Sequence, residues 1–483
     1  MDELSAQEIR IRAKRSVVLV AGRGVLLRLI QLAGLFLLAR LLAPEAFGAV
    51  SFGMVFVGLA TVAAQAGIGA TLIRQPEEPE REDLSTLLGF QLATTAALVV
   101  IVAAVGSQFG VEGRITTLLV CSLPLIALRS PSTVLLERKL DYRGIVAADV
   151  VDTVVYYGWA VSAAFAGWGV WSLATAVLPR TAAGTLLLLL AVPEARVRPR
   201  ISLIRLRRML GFGVRLQLVD LINFGRDQGL TIGIAAISGL SVLGIWSYAY
   251  RIMQIPYILF AALWRVSFPA MARLVRAGED LRPVIERTGV TTAIVTGAVL
   301  APLVASATWL VPMLLGRRWQ DVVFVLPPAC LGILISGPIS VSVAGYLYAI
   351  GDARSPLRAT IVHTIGWQVV TFSLLPWLGV FAVGLGWFTA AIIDAVMLGR
   401  PAAAALGARI LRPLLVPWAI AIVATGGGWL AGSASHGVVA VAASVAAAEA
   451  VFFGGLAITA RRQLLDFVSL GRSLFGREGA ATP

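Results

Sequence analysis

The chain has 483 residues, 58% of them hydrophobic and only 14% charged, against about 25% charged in soluble proteins, so lipid rather than water is its main solvent. Its net charge of +14 comes from 40 Lys+Arg against 26 Asp+Glu, and in such a chain it reads as the cytosolic arginine excess of an inner-membrane protein rather than a nucleic-acid footprint. Cys121 and Cys330 both sit in apolar runs, which excludes a disulfide or zinc framework, and no P-loop, HExxH, CxxC or GxSxG motif points to an enzyme.

Residues 1–15 are a polar, basic cytosolic leader, either a short interfacial amphipathic helix or an unstructured start. Apolar segments then follow at 16–42, 46–73, 84–106, 115–137, 144–166, 169–192, 208–237, 241–263, 287–314, 321–350, 356–377, 380–399, 411–431 and 437–460. A membrane-crossing helix needs about 20 mostly apolar residues, so these predict an all-α polytopic protein with about 14 transmembrane helices. Pro124, Pro131, Pro179, Pro256, Pro302 and Pro338 fall inside segments and predict kinks. With the N-terminus in the cytosol, the connections on that side and their flanks carry 29 of the 40 Lys+Arg, and the opposite loops only Arg114, Arg317 and Arg318. That asymmetry predicts a multi-pass protein with both termini cytosolic.

Two echoes suggest an internal repeat. At an offset of 196, ARLLAPEAFGAVSFG (39–53) aligns with AAISGLSVLGIWSYA (235–249), matching Gly48 to Gly244 and Ser51 to Ser247. LDYR (140–143) is echoed by GDAR (351–354). The organisation expected is a leader (1–15), a first six-helix half (16–192), a cytosolic linker (193–207), a second six-helix half (208–399), two further helices (400–460) and a cytosolic tail (461–483). An even number of helices per half makes these parallel repeats.

Charges inside the apolar segments mark candidate functional positions, because a charge in the membrane is costly and normally faces a cavity, a partner or a substrate. In the first segment Gly24, Arg28 and Gln31 share one helical face, with Arg23 nearer the cytosol. Arg129 stands beside Pro131 in ALRSPS, where a broken helix opens backbone groups. Asp149, Asp152 and Tyr156 share a face of the fifth segment; the carboxylates either bind a coupling proton or sodium ion or neutralise Arg129 or Arg23. Arg180 follows Pro179. In the seventh segment Arg215 and Arg226 are eleven residues apart and in helical register, flanked by Asp220, Asn223 and Asp227; either the arginines face an anionic substrate or the set is an internal ion pair. Arg251 follows Tyr248 and Tyr250. His363 is either hydrogen-bonded packing or a proton-linked group, and Asp394 is read as structural. No metal cluster or cofactor site is expected.

The run from Gly22 to Gln75, with ARLLAPEAFG after the first helix and GIGATLI (67–73) closing the second, resembles the opening of Wzx-type oligosaccharide flippases of the multidrug/oligosaccharidyl-lipid/polysaccharide exporter superfamily. LLERKLDYR (135–143) and GVWSLA (169–174) continue the likeness. The resemblance implies two six-helix lobes in a V around a central cavity, with two C-terminal helices at the side. It implies that an undecaprenyl-pyrophosphate-linked oligosaccharide moves from the cytosolic to the outer leaflet by alternating access. The carboxylates of the fifth segment leave coupling to an H+ or Na+ gradient open, no catalysis is expected, and a polysaccharide polymerase and chain-length machinery are the candidate partners. Such a lipid needs fixed cations for its phosphates, and arginine, always protonated and fork-shaped, suits them. Arg23, Arg28, Gln31, Arg129, Arg215, Arg226 and Arg251 are therefore the expected substrate-binding residues, and Asp149, Asp152, Asp220, Asp227 and His363 the expected ion-coupling or charge-pairing set. The alternatives are a cation-coupled multidrug exporter of the same fold and a peptidoglycan lipid-precursor flippase. The exporter would favour a carboxylate in the opening helices, where this chain carries arginines.

Overall fold

The computed structural model describes residues 27, 30–75, 77–406 and 411–465, without the side chains of 211–223, 226, 255, 258, 262 and 266. Among the described residues the chain is helical throughout, and it divides into two compact units, residues 1–244 and 245–483. Among the described residues twelve helices are long and apolar enough to cross a membrane. The first predicted segment lies partly outside the described residues, which show it as helix α1, Ile30–Leu41. The seventh and eighth segments are two helices that meet at Gly239, whose backbone is non-helical (φ 81°, ψ 178°), inside the predicted ISGLS turn; the pair, Leu203–Met253, carries the single label α10. Side chains such as Phe165 and Ile458, 69% and 86% exposed, give these helices an apolar exterior suited to lipid.

Unit 1 continues with α2 (Pro44–Gln65), α3 (Ile68–Arg74), α4 (Arg81–Gly106), α5 (Gly110–Val120), α6 (Leu123–Arg138), α7 (Arg143–Phe165), α8 (Val170–Thr175), α9 (Val177–Ala191) and the first part of α10 (Leu203–Met253). Pro44 opens α2 at a position where a missing N–H costs nothing. The second predicted segment is two helices because Ala66 and Gly67 both take left-handed backbone angles (φ 43° and 69°). Glycine adopts that region freely, so the first residue of GIGATLI serves as a hinge between α2 and α3. Breaks between α5 and α6, and between α8 and α9, precede Pro124 and Pro179, each of which removes a helical donor and crowds the preceding turn. A core of Ile68, Leu72, Leu84, Leu87, Val134 and Met209 ties α3, α4, α6 and α10 together.

Unit 2 comprises the end of α10, then α11 (Ile255–Ala277), α12 (Arg282–Leu315), α13 (Val322–Ile339), α14 (Gly345–Ala349), α15 (Arg354–Leu378), α16 (Phe381–Leu406), α17 (Arg412–Ser433) and α18 (Gly437–Thr459). The break at Gln254 precedes Pro256, as predicted. The predicted connection at 264–286 is mostly helical: α11 runs on to Ala277, only 278–281 turn, and α12 starts at Arg282. After Pro338 the helix widens into one π turn, Ser340–Ala344, before α14. Pro131 and Pro302 lie within continuous helix instead of at breaks.

Both sequence echoes have a physical basis. Gly48 and Gly244 pack against each other: a Cβ on Gly48 would meet the Leu240 carbonyl, and a Cβ on Gly244 the Pro44 carbonyl. Leu240 and Gly244 are the offset-196 counterparts of Pro44 and Gly48. At the second echo Leu140 and Gly351 are both left-handed (φ 53° and 85°). The N–H groups of Asp141 and Asp352 then close on the carbonyls of Leu136 and Leu347, at 3.0 and 2.9 Å. Each aspartate accepts from the arginine N–H that starts the next helix, at 3.3 Å for Arg143 and 3.1 Å for Arg354. LDYR and GDAR are thus one helix-turn-helix joint used twice.

Candidate functional site in unit 1

A cavity of about 660 Å³ opens between α2, α3, α4 and α6. Its polar lining is Gln65, Gln91, Arg129, Ser130, Thr133 and Glu137, set among Ile73, Leu87, Ile126 and Val134. Arg129 reaches it because α6 carries the residue on the turn before Pro131. Its Nη1 donates to Asp152 Oδ2 of α7 at 2.8 Å. The pair is asymmetric in exposure: the Asp152 side chain is 4% exposed and that of Arg129 21%. The aspartate is sealed in the bundle while the guanidinium keeps a face toward the cavity. Asp152 Oδ1 lies over Gly184 of α9, where any Cβ would strike it, and has no hydrogen-bond partner among the described residues. A carboxylate held this way fixes the arginine and leaves its remaining donors free for another anion.

Other charges of the bundle gather nearby in the chain. Arg180 of α9 stands 5.7 Å over the Tyr156 ring of α7, a cation–π contact. Asp149 lies one turn from Asp152 and is half-buried. Gln31 on α1 is also half-buried. The buried Gln91 projects from α4 with Oε1 unpartnered among the described residues, so the cavity wall offers an acceptor as well as a cation.

The remaining predicted residues are placed as follows. Arg23 and Arg28 lie outside the described residues. Arg215, Asp220 and Arg226 lie on α10, and their side chains are outside the description. Asp227 is exposed on α10. Arg251, in the last turn of α10 and within unit 2, is exposed and has no acidic partner among the described residues. His363 of α15 bonds through Nδ1 to Asp394 Oδ2 of α16 at 2.8 Å and stands edge-on to Trp367. This makes Asp394 its partner in a half-buried polar pair. Of the roles open to Asp152, the geometry shows neutralisation of Arg129. Among the described residues no group of three or more His, Cys, Asp or Glu side chains is placed to hold a metal ion.

Sequence reasoning missed Gln65, Gln91, Ser130, Thr133 and Glu137. The available signal was a glutamine inside the apolar run LLGFQLATTAALVV. It also missed the reason for one motif residue. Arg138, in ERKLDYR, donates through Nη1 to the carbonyls of Leu72, Ile73 and Gln75 at 2.8, 3.2 and 2.7 Å. It caps the end of α3, so two distant parts of the motif set, 67–73 and 135–143, are one structural joint.

Residues 37–324 match the family described as "Polysaccharide biosynthesis protein". The chain is 27% identical over 324 residues to the succinoglycan biosynthesis transport protein ExoT of Rhizobium meliloti, a match that spans 65% of each protein, just under two thirds of the relative's length. It is 24% identical over 405 residues to the lipopolysaccharide biosynthesis protein WzxC of Escherichia coli, covering 79% of this chain and 77% of that one. Its fold matches that of the lipid II flippase MurJ in an inward closed conformation, with a TM-score of 0.69 at 13% identity over 92% of this chain and all of that one. It also matches an inward-facing multidrug resistance MATE family transporter of the MOP superfamily, with a TM-score of 0.57 at 18% identity over 81% and 98%.

Proposed function

From the premise that the chain belongs to the polysaccharide biosynthesis protein family, a membership that covers residues 37–324, we propose that it is a carrier and not an enzyme, and that it flips an undecaprenyl-pyrophosphate-linked oligosaccharide from the cytosolic to the outer leaflet. Its place is the bacterial inner membrane, with both termini cytosolic as the arginine asymmetry requires. The observation that carries the reading is Arg129: a guanidinium pinned by a buried carboxylate on one side and open to a polar-and-apolar cavity on the other. Such a group meets the charge of a pyrophosphate at no cost in reorganisation, while the amides and hydroxyls around it suit sugar hydroxyls. The two sequence relatives, a succinoglycan transport protein and a lipopolysaccharide biosynthesis protein, favour this reading over drug export.

The chain lacks a nucleotide-binding P-loop, so we take the drive to be an H+ or Na+ gradient. A polymerase and chain-length machinery would consume the flipped lipid. The test is complementation of a deletion strain. Wild-type protein should clear the lipid-linked intermediate that accumulates inside, and Arg129→Gln, present in the membrane at normal level, should not. Normal surface polysaccharide with Arg129→Gln overturns the site assignment. Absence of any accumulated intermediate in the deletion strain overturns the function itself.

A further inference from the structure

The segment joining α9 to α10 is pinned to unit 1 on one side and amphipathic on the other. Arg205 donates through Nη2 to Glu80 at 2.7 Å and through Nη1 to Asp83 at 2.8 Å, and its Nη2 lies 2.8 Å from Glu82. Arg208 adds a longer contact of 3.5 Å to Asp83. The Arg200 N–H donates to the Ser85 carbonyl at 3.1 Å, and the Arg200 carbonyl fills the space that a Cβ on Gly89 would need. Nearby, Lys139 takes up Glu194 at 2.5 Å, and Arg196 donates to the Leu189 carbonyl. Glu80, Glu82, Asp83 and Glu194 are thus answered by neighbouring cations, while Glu77 and Glu78 stand exposed.

What points outward is different in kind. Ile201, Leu203 and Ile204 are 49%, 77% and 86% exposed. Arg198, Arg200 and Arg207 are exposed and have no acidic partner among the described residues. Leu203 and Arg207 are four residues apart, and Ile204 and Arg207 three, so they share a face of the first turns of α10. Exposed bulky aliphatics beside unanswered guanidiniums, at the end of a bundle of membrane-crossing helices, match the two layers of a leaflet: acyl chains for the aliphatics and phosphates for the arginines.

We propose that this segment, residues 198–207, is a membrane-surface contact that binds anionic phospholipid headgroups, with Leu203 and Ile204 dipped into the acyl boundary and Arg198, Arg200 and Arg207 on the phosphates. An acidic soluble protein would answer the arginines but not the exposed aliphatic pair. The segment joining α9 to α10 is then held at the bilayer surface instead of lying free in the cytosol.

The experiment uses the full chain, with Cys121 and Cys330 replaced by alanine and a nitroxide on Ile204→Cys. The purified protein is reconstituted into vesicles of phosphatidylcholine alone or of phosphatidylcholine with phosphatidylglycerol. Accessibility to oxygen against a water-soluble nickel chelate reports depth. In the mixed vesicles the label should be more accessible to oxygen than to the chelate. Each of Arg200→Gln and Arg207→Gln should weaken the apparent affinity of the segment for phosphatidylglycerol by about five-fold. Arg200→Lys and Arg207→Lys should restore it. A label equally open to the chelate in both vesicles overturns the proposal and leaves the surface to a soluble acidic partner. Immersion that ignores phosphatidylglycerol and both glutamine variants overturns the role of the anionic headgroups. None of these readouts depends on transport, so a failure of the flippase reading leaves this result standing, and the reverse.

Discussion

Gly48 and Gly244 meet backbone to backbone in unit 1: a Cβ on either would stand 3.1 Å from the other's backbone nitrogen. The contact is self-complementary because each glycine abuts the carbonyl of the residue four positions before its partner, Leu240 and Pro44. A substitution at either site therefore forces a methyl group into a peptide carbonyl. Gly48→Ala and Gly244→Ala should each destabilise the protein by about 2 kcal/mol, and by similar amounts, from overpacking that backbone cannot relieve. Gly158→Ala is the control: its Cβ site on α7 is open, and the better helix former should leave stability unchanged or slightly higher. Thermal unfolding in detergent micelles distinguishes the three.

Arg138 holds the end of α3 through the carbonyls of Leu72, Ile73 and Gln75. Arg138→Ala should cost about 2–3 kcal/mol, the range for hydrogen bonds to a charged donor. Arg138→Lys should recover only part, because an ammonium cannot reproduce the planar fork. Limited proteolysis in the 75–80 connection, faster in Arg138→Ala than in wild type, would report the freed helix end.

Asp152→Ala should leave the Arg129 guanidinium without its fixed counter-charge. Arg129 retains some exposure, so the expected loss is about 2–3 kcal/mol, below the full cost of orphaning a sealed charge. Gly184→Ala should act in the same direction through sterics, since its methyl group would displace the carboxylate. Chemical denaturation of the two variants against Arg129→Gln checks this. If Asp152 serves Arg129, the double variant Asp152→Ala with Arg129→Gln should be less destabilised than the sum of the singles.

Asp352, in the joint between α14 and α15, accepts from the Ser355 hydroxyl at 2.6 Å, from the Ser355 N–H at 3.0 Å and from the Arg354 N–H at 3.1 Å. These donors, the Ser355 hydroxyl foremost, hold its carboxyl below the ordinary value of 3.8. A depressed folded pKa stabilises above the unfolded pKa, and that contribution is lost as pH falls through the folded one. The stability advantage of wild type over Asp352→Asn should therefore be full at neutral pH, shrink below about 4, and be smaller at neutral pH in a Ser355→Ala background. Equilibrium unfolding between neutral and acid pH measures it.

The spans were legible because length and apolarity are set by the lipid each helix faces, and the breaks before Pro124, Pro179 and Pro256 because proline acts on its own preceding turn. The weak echo at 140 and 351 was legible because a left-handed residue followed by a capping aspartate is a local device. Partnerships were not. Arg129 and Asp152 are on different helices, and no spacing rule distinguishes Arg129 from Arg23 as the recipient of that carboxylate. Arg138 reads as one more cytosolic arginine until the end of α3 arrives beside it. Gln91 looks like an interruption of an apolar run, because its meaning lies in the cavity that α3 and α6 close around it. The helix past Arg265 was missed for a related reason: charge marks where a helix leaves lipid, not where it stops.

The π turn at Ser340–Ala344 holds one residue more than a regular helix would use over the same rise. Removing any single residue there would return the strand of chain to plain α geometry and keep both flanks in phase. The same deletion elsewhere in the span would swing every later side chain by about 100° around the axis. Gene copies with a one-codon gap at this spot should still encode a working protein, and this stretch is where length drift among descendants of the gene ought to collect.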